Sequence, residues 1–339
     1  MTAAFPVDSV RDLLGLAPTA LFGSIATEAV GRAEREVEST HSDESLQAVV
    51  SRMWWRKMGA LAVLEDGRLV GVLTEDDLLH ALADRLKDKA GAEGALPIWD
   101  ALFAGATVRD AMTPREDAAV VPLGTPLVEG LQATFGPTRR GRRKSYLFAL
   151  DGSDAPQRVI SFRDIARYLM RLYDGQLPAG VFPSPAVQAE AQRVAWRVLD
   201  VSLGQLRESE SLGSPPDPLA PDASAAETID RMMVRARGYA MVESAGRSGV
   251  VVRGICTRRD LLRALKSPFA TLDSLRAAYL MTEPVKIVTE VDTLCGLFKM
   301  MAIEGFRHMP MVDETDRVEA VISMWQGVGL LAHRPVRGR

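Results

Sequence analysis

The stretch GVLTEDD at residues 71–77 is echoed by GICTRRD at residues 254–260. Both read Gly-x-x-Thr-x-x-Asp, both follow an apolar run, and both lead into Leu-Leu. The offset is constant: 254 − 71, 257 − 74 and 260 − 77 each give 183. A fixed offset of that kind marks a duplication, which bears on the fold before any single element does.

The flanks extend the repeat. Residues 42–58 (SDESLQAVVSRMWWRKM) open on Ser and Asp and carry apolar residues at helical spacing. GALAVLE (59–65) predicts a short strand, Asp66-Gly67 a hairpin turn, RLVGVLT (68–74) the returning strand and TEDDLLHALADRL (74–86) a second helix. The same order recurs at 222–266 and 290–332, and less clearly at 124–172. A Met-Thr-x-Pro-like lead-in, VRDAMTP (108–114) or AYLMTEP (278–284), precedes the second and fourth copies. The chain is therefore a tandem pair of pairs. LPAGVFPSP (177–185) reads as the linker between the pairs, SPPDPLAPD (214–222) as a breaker inside the third copy, and LPIW (96–99) as part of an insertion.

These residues resemble the CBS (cystathionine β-synthase) domain family, whose β-α-β-β-α units pair into Bateman modules. The resemblance rests on the Met-Thr-x-Pro lead-in, the strand ending His308-Met309-Pro310-Met311-Val312-Asp313, and the Gly-x-x-Thr-x-x-Asp-Leu-Leu close. It implies an α/β (α+β) fold of four repeats in two Bateman modules, arranged much as in the gamma subunits of AMP-activated protein kinases. The expected divisions are an N-terminal helical segment (1–25), a first module (26–175, repeats about 26–88 and 106–173), a linker (176–195) and a second module (196–335, repeats about 196–267 and 275–333). The resemblance also implies regulation rather than catalysis. The expected ligand is AMP, ADP or ATP, with S-adenosylmethionine or cyclic di-AMP as variants, held in clefts between paired sheets. No further cofactor and no metal are expected. The modules would close as a disc within one chain or between two, and an unidentified regulated protein would read the change.

The residue types fit that chemistry. Gly71 and Gly254, late in a strand, would let a flat ring approach the backbone. Thr74 and Thr257 offer hydroxyls beside free helix N–H groups, where phosphate is favoured. Asp77 and Asp260 are acceptors suited to ribose hydroxyls. Ser/Thr-x-x-Asp is equally a capping box that needs no ligand. The second copy keeps Ser161 and Asp164 but has Arg158 at the glycine position; the fourth has Ala320 there and Gln326 in place of the carboxylate. The expected ranking is third and first copies, then second, then fourth.

Basic residues gather where the first helix of each copy meets the next strand: Arg56 and Lys57; Arg142, Arg143 and Lys144; Arg235 and Arg237; Arg307 and His308. They fit a helix C-terminus or polyphosphate in a neighbouring cleft. A formal net charge of −3, and no aromatic interleaving in RRGRRK (139–144), give no reason to expect nucleic acid. No signal peptide or membrane span is expected, His41, His80, His308 and His333 show no metal spacing, and Cys256 and Cys295 do not form a metal motif. A cytoplasmic sensor is the leading expectation, and a ligand-free scaffold for protein contact or oligomerisation is the rival.

Overall fold

The computed structural model describes residues 7–30, 37–88, 103, 105–136, 143–210, 212–233, 237–246, 249–264 and 275–332. In the first copy, β1 (Ser39–His41) lies parallel to β2 (Ala60–Glu65), with the helix Leu46–Trp55 as the crossover that a parallel pair requires. β2 turns back into β3 (Arg68–Thr74) through Asp66 and Gly67, both at positive φ (49° and 75°), as a two-residue hairpin demands. The helix Glu75–Asp88 follows, and β4 (Thr113–Pro114), from the first lead-in, adds to the far edge of β3.

The second copy repeats the order with β5 (Ala119–Pro122), helix Leu127–Phe135, β6 (Tyr146–Leu150), β7 (Pro156–Ser161) and helix Phe162–Tyr173. The third runs through β8 (Pro218–Leu219), helix Ala225–Met233, β9 (Tyr239–Gly246), β10 (Gly249–Thr257) and helix Arg258–Ala264. The fourth has β11 (Val288–Thr289), helix Leu294–Glu304, β12 (His308–Val312), β13 (Val318–Ser323) and helix Met324–Ala332. All four hairpins carry a bulge at the same place. The residues skipped are Val70, Gln157, Arg253 and Glu319, each four positions before the Thr or Ser that closes the strand. A conserved irregularity is stronger evidence of repetition than the strands themselves, since bulges re-aim a strand end. The class is the expected mixed α/β, with four small sheets.

Two kinds of contact close the copies into a ring within one chain. Sheet faces join copies 1 and 2 through Ala62, Val72, Phe148 and Leu150, and copies 3 and 4 through Tyr239, Met241, Ile255 and Val321. Helices join copy 1 to copy 3, where Leu78, Leu82, Ile229 and Leu261 share one core. Helices also join copy 2 to copy 4, with Leu169, Phe298, Met301 and Leu331 in the other.

The N-terminal helix Val7–Ala17 and the turns after it belong to that second core, where Leu21 and Phe22 are fully buried and the Tyr168 hydroxyl donates to the Leu21 carbonyl at 2.7 Å. Residues 176–195, read as a linker, hold most of a helix, Pro185–Leu199, capped by Ser184 and packed through Val194 and Val198. No helix among the described residues is long and apolar enough to cross a membrane.

Candidate functional site

The Gly-x-x-Thr-x-x-Asp motif is first a cap. Thr74 donates its N–H and hydroxyl to Asp77 Oδ2 at 2.8 and 2.7 Å, and Asp77 N–H returns to Thr74 Oγ1 at 3.3 Å. Thr257 and Asp260 repeat the first two bonds at the same distances. The second carboxylate oxygen is also taken. Thr113 donates to Asp77 Oδ1 at 2.5 Å, and Thr282 to Asp260 Oδ1 at 3.0 Å. Thr113 and Thr282 are the threonines of the two Met-Thr lead-ins.

The methionines of those lead-ins explain the glycines. A Cβ on Gly71 would lie 2.8 Å from the Thr113 carbonyl oxygen and 2.9 Å from Met112 Sδ, and one on Gly254 would collide with Met281 Sδ. The expectation that Gly71 and Gly254 admit a flat ring is corrected: the space over each is filled by its own lead-in methionine. Copies 2 and 4 have no lead-in after them, so Arg158 and Ala320 can stand at the glycine position.

The same difference leaves Asp164 apart from its counterparts. Ser161 donates N–H and hydroxyl to Asp164 Oδ2 at 2.9 and 2.7 Å, but no threonine follows to bind Oδ1, which lies 3.9 Å from Arg167. In copy 4, Ser323 and Gln326 form a cap of the same kind, with both Ser323 donors 2.9 Å from Gln326 Oε1. The chain itself covers that cleft: Ser214 and Val321 exchange backbone hydrogen bonds at 2.9 Å, and Gln326 Nε2 donates to Ser214 Oγ at 3.2 Å.

Three cavities border these caps. The one at Thr74 and Asp77 is about 30 Å³, room for a water or two. The one at Thr257 and Asp260 is about 180 Å³. The one at Ser161 and Asp164 is about 230 Å³, with an apolar wall from Val37, Met58, Ala60 and Val159. The geometry therefore puts the second copy ahead of the third and the first.

The two larger cavities share a wall of Arg258, Arg259, Arg307 and His308. Arg143, Arg163, Arg167 and Arg237 add further guanidinium groups to the 230 Å³ cavity. Two carboxylates of copy 1 face this cluster. Glu75 lies 2.6 Å from Arg307 and 3.5 Å from Arg259, and Asp76 lies 2.7 Å from Arg258 Nε. Arg307 also donates to the Tyr146 hydroxyl at 3.0 Å. Burial by itself raises the Glu75 carboxyl, but Arg307, Arg259 and Arg258 together outweigh it and hold the group below the ordinary carboxylate value. Burial, then neighbouring guanidinium groups, push Arg143 and Arg163 down. Burial and then Arg258, Arg143 and Arg307 push His308 well below 6.5, so its ring is neutral against Tyr239, 4.8 Å away between centroids.

Among the predicted basic residues, Arg143, Arg237, Arg307, His308 and Lys57 reach the 230 Å³ cavity. Lys144 lines the smallest one. Arg143 also stacks over Trp325 at 4.8 Å, and Arg237 pairs with Asp217 at 3.0 Å. Arg56 pairs with Glu38, 2.8 Å distant, and is not itself on the cavity wall. Arg142, Arg235 and His333 lie outside the described residues. Sequence reasoning missed Arg163, Arg258, Arg259, Glu75 and Asp76. They occupy x positions inside the Thr/Ser-x-x-Asp motif, which the motif itself leaves unspecified. Comparing only those positions gives Glu-Asp in copy 1 against Arg-Arg in copy 3, a signal present in the sequence. Cys256 is a buried free thiol pushed up to about 12 by burial, hence unreactive packing.

Comparison with known proteins fits this architecture. Residues 30–84 and 212–267 match the family model of the CBS domain, so the first and third copies carry CBS domains. A Methanocaldococcus jannaschii protein, described as a candidate archaeal homologue of g-AMPK, is 15% identical. It matches over 90% of this chain and 99% of its own, with a TM-score of 0.68, and so shares the four-copy fold. An uncharacterised conserved protein of Pyrococcus horikoshii is 14% identical over 80% of this chain and 91% of its own, with a TM-score of 0.48. A Pyrobaculum aerophilum CBS-domain protein, solved in complex with AMP, is 22% identical over 37% of this chain and 88% of its own, with a TM-score of 0.32. No curated protein matches the sequence.

Proposed function

We propose that this protein is a regulatory sensor of adenosine nucleotides whose main site is the second-copy cleft, lined by Val37, Met58, Val159, Ser161 and Asp164. The carrying observation is the Asp164 carboxylate, which presents an oxygen not held by a threonine beside an apolar wall and a bank of guanidinium groups. An apolar slot suits a flat base, an acceptor-only carboxylate suits ribose hydroxyls, and clustered arginines suit phosphate. The third-copy cavity, which shares Arg258, Arg259 and Arg307, is the second position. Ligand in either cleft touches two copies at once, so it favours one ring geometry over another, and a partner protein reads the difference. The residues around the clefts hold, orient and neutralise charge, which suits regulation rather than turnover.

A scaffold without ligand is the second reading. It draws on the clefts of copies 1 and 4, which the chain's own segments fill. Calorimetric titration with AMP, ADP, ATP, S-adenosylmethionine and cyclic di-AMP separates the two. Micromolar binding of an adenosine ligand, weakened at least about tenfold by Asp164→Asn, supports the sensor. A folded, nucleotide-free protein that binds none of them supports the scaffold.

A further inference from the structure

The arginine wall between the two larger cavities already contains anions. Glu75 and Asp76 fill the x positions of the copy 1 motif, and Arg258 and Arg259 fill the same positions of copy 3. The helices that begin at these residues meet across the ring. Arg258 and Arg259 sit at the start of their own helix, where a cation is disfavoured by the exposed N–H groups. Their placement is explained by what faces them. Glu75, nearly buried, reaches Arg307 and Arg259, and Asp76 reaches Arg258. The balance is incomplete: Asp76 Oδ2 and the Nε atoms of Arg163 and Arg237 are buried with no hydrogen-bond partner among the described residues.

We infer that Glu75 and Asp76 are tethered internal anions that occupy guanidinium groups a polyphosphate chain would otherwise take, and so set how many phosphates the cleft accepts. The inference rests on the proposed nucleotide site and adds its selectivity. A ligand with one phosphate meets Arg163 and Arg167, next to Asp164 on the cavity wall. Further phosphates reach Arg307 and Arg259, where they must displace Glu75. That displacement separates a copy 1 helix from copies 3 and 4, so it couples phosphate count to the ring contact itself. A monophosphate leaves Glu75 on Arg307, and a triphosphate does not.

The test measures affinity for AMP, ATP and inorganic tripolyphosphate in the full chain, for the native protein, Glu75→Gln and Asp76→Asn. Removing an internal competitor should raise ATP and tripolyphosphate affinity about tenfold relative to AMP, within the usual range of coupling between sites. Asp76→Asn should move the ratio in the same direction by less, and it serves as the readout if Glu75→Gln does not fold. An ATP-to-AMP ratio that neither folded variant changes would overturn the inference while leaving the nucleotide site intact. If AMP and ATP do not bind at all, the site reading fails, and tripolyphosphate alone then judges the internal anions. Tighter tripolyphosphate binding in the variants supports them, and unchanged or undetectable binding overturns them.

Discussion

The Glu75–Arg307 pair offers a stability measurement that needs no ligand. The two side chains meet at 2.6 Å, with 7% and 29% of their surface exposed. Replacing Arg307 with Met leaves Glu75 buried and facing only Arg259 at 3.5 Å as a direct partner. Replacing Glu75 with Gln leaves Arg307 among Arg163, Arg258 and Arg259 with neutral acceptors, an amide oxygen and the Tyr146 hydroxyl, and no facing carboxylate charge at position 75. Breaking a buried pair from one side costs about 3–5 kcal/mol. Because Arg307 keeps some solvent, the lower end applies, about 3 kcal/mol for each single variant. Glu75→Gln with Arg307→Met removes both charges together and should cost about 3–4 kcal/mol in all. The cycle then gives a coupling of about 2–3 kcal/mol, against near zero for independent sites. Urea unfolding of the four proteins reads this directly. Because the pair is largely out of solvent, the coupling should survive an increase in salt that would screen a surface pair. Additivity within about 0.5 kcal/mol would mean that copies 1 and 4 do not meet through these residues, and the central anion–arginine arrangement would fall with it.

Three further outcomes follow from the geometry. Asp77→Asn should lower stability by about 1–2 kcal/mol in thermal melts, because Asp77 accepts from Thr74 N–H, Thr74 hydroxyl and Thr113 hydroxyl, while leaving nucleotide affinity nearly unchanged. His308 is neutral in the fold because its value is depressed, whereas the unfolded chain takes up a proton below about 6.5. Stability from this residue is therefore present above pH 6.5 and lost as pH falls, by about 1.4 kcal/mol at pH 5.5, and urea midpoints of His308→Gln should lack that slope. Gly213 has φ of 96°, and a Cβ there would lie 2.8 Å from Ala320 Cβ. Gly213→Ala should cost more than the ~1 kcal/mol typical of a helix glycine and should loosen Ser214 from Val321, seen as faster amide exchange at Val321.

The sequence carried the repeat because its markers are local. Asp66-Gly67 can turn only one way, the apolar runs alternate with helical spacing, and the 183-residue offset is a matter of counting. What it did not carry depends on which segments meet after folding. Gly71 looked like room for a ligand, but its neighbour is Met112, 41 residues downstream. Leu21 and Phe22 were part of a segment with no assigned place, yet they complete the copy 2 and copy 4 core. The basic residues were legible as a class, and Arg143, Arg237 and Arg307 do converge; Arg56 follows the same local rule and pairs with Glu38 instead. Arg258 and Arg259 were harder still, since a helix start gives no local reason for two cations, and only the Glu75–Asp76 pair across the ring supplies one.

Duplication by itself would make four equal clefts, and what breaks the equality is the chain between the copies. A Met-Thr lead-in follows copies 1 and 3, and it must pass over the edge strand just used, so methionine covers the glycine and threonine satisfies the carboxylate. The segment ahead of copy 3 runs across β13 and covers copy 4. Copy 2 is followed by neither, because a helix, Pro185–Leu199, carries the chain away from it. Asp164 is thus left available by connectivity rather than by any change in its own motif, which is the same Ser/Thr-x-x-Asp cap as in copies 1 and 3. On this argument the motif builds the helix start in every copy, and the linkers decide which starts can also hold a ligand. Moving a lead-in threonine within reach of Asp164 should therefore close the second-copy cleft chemically without altering a single residue of the motif.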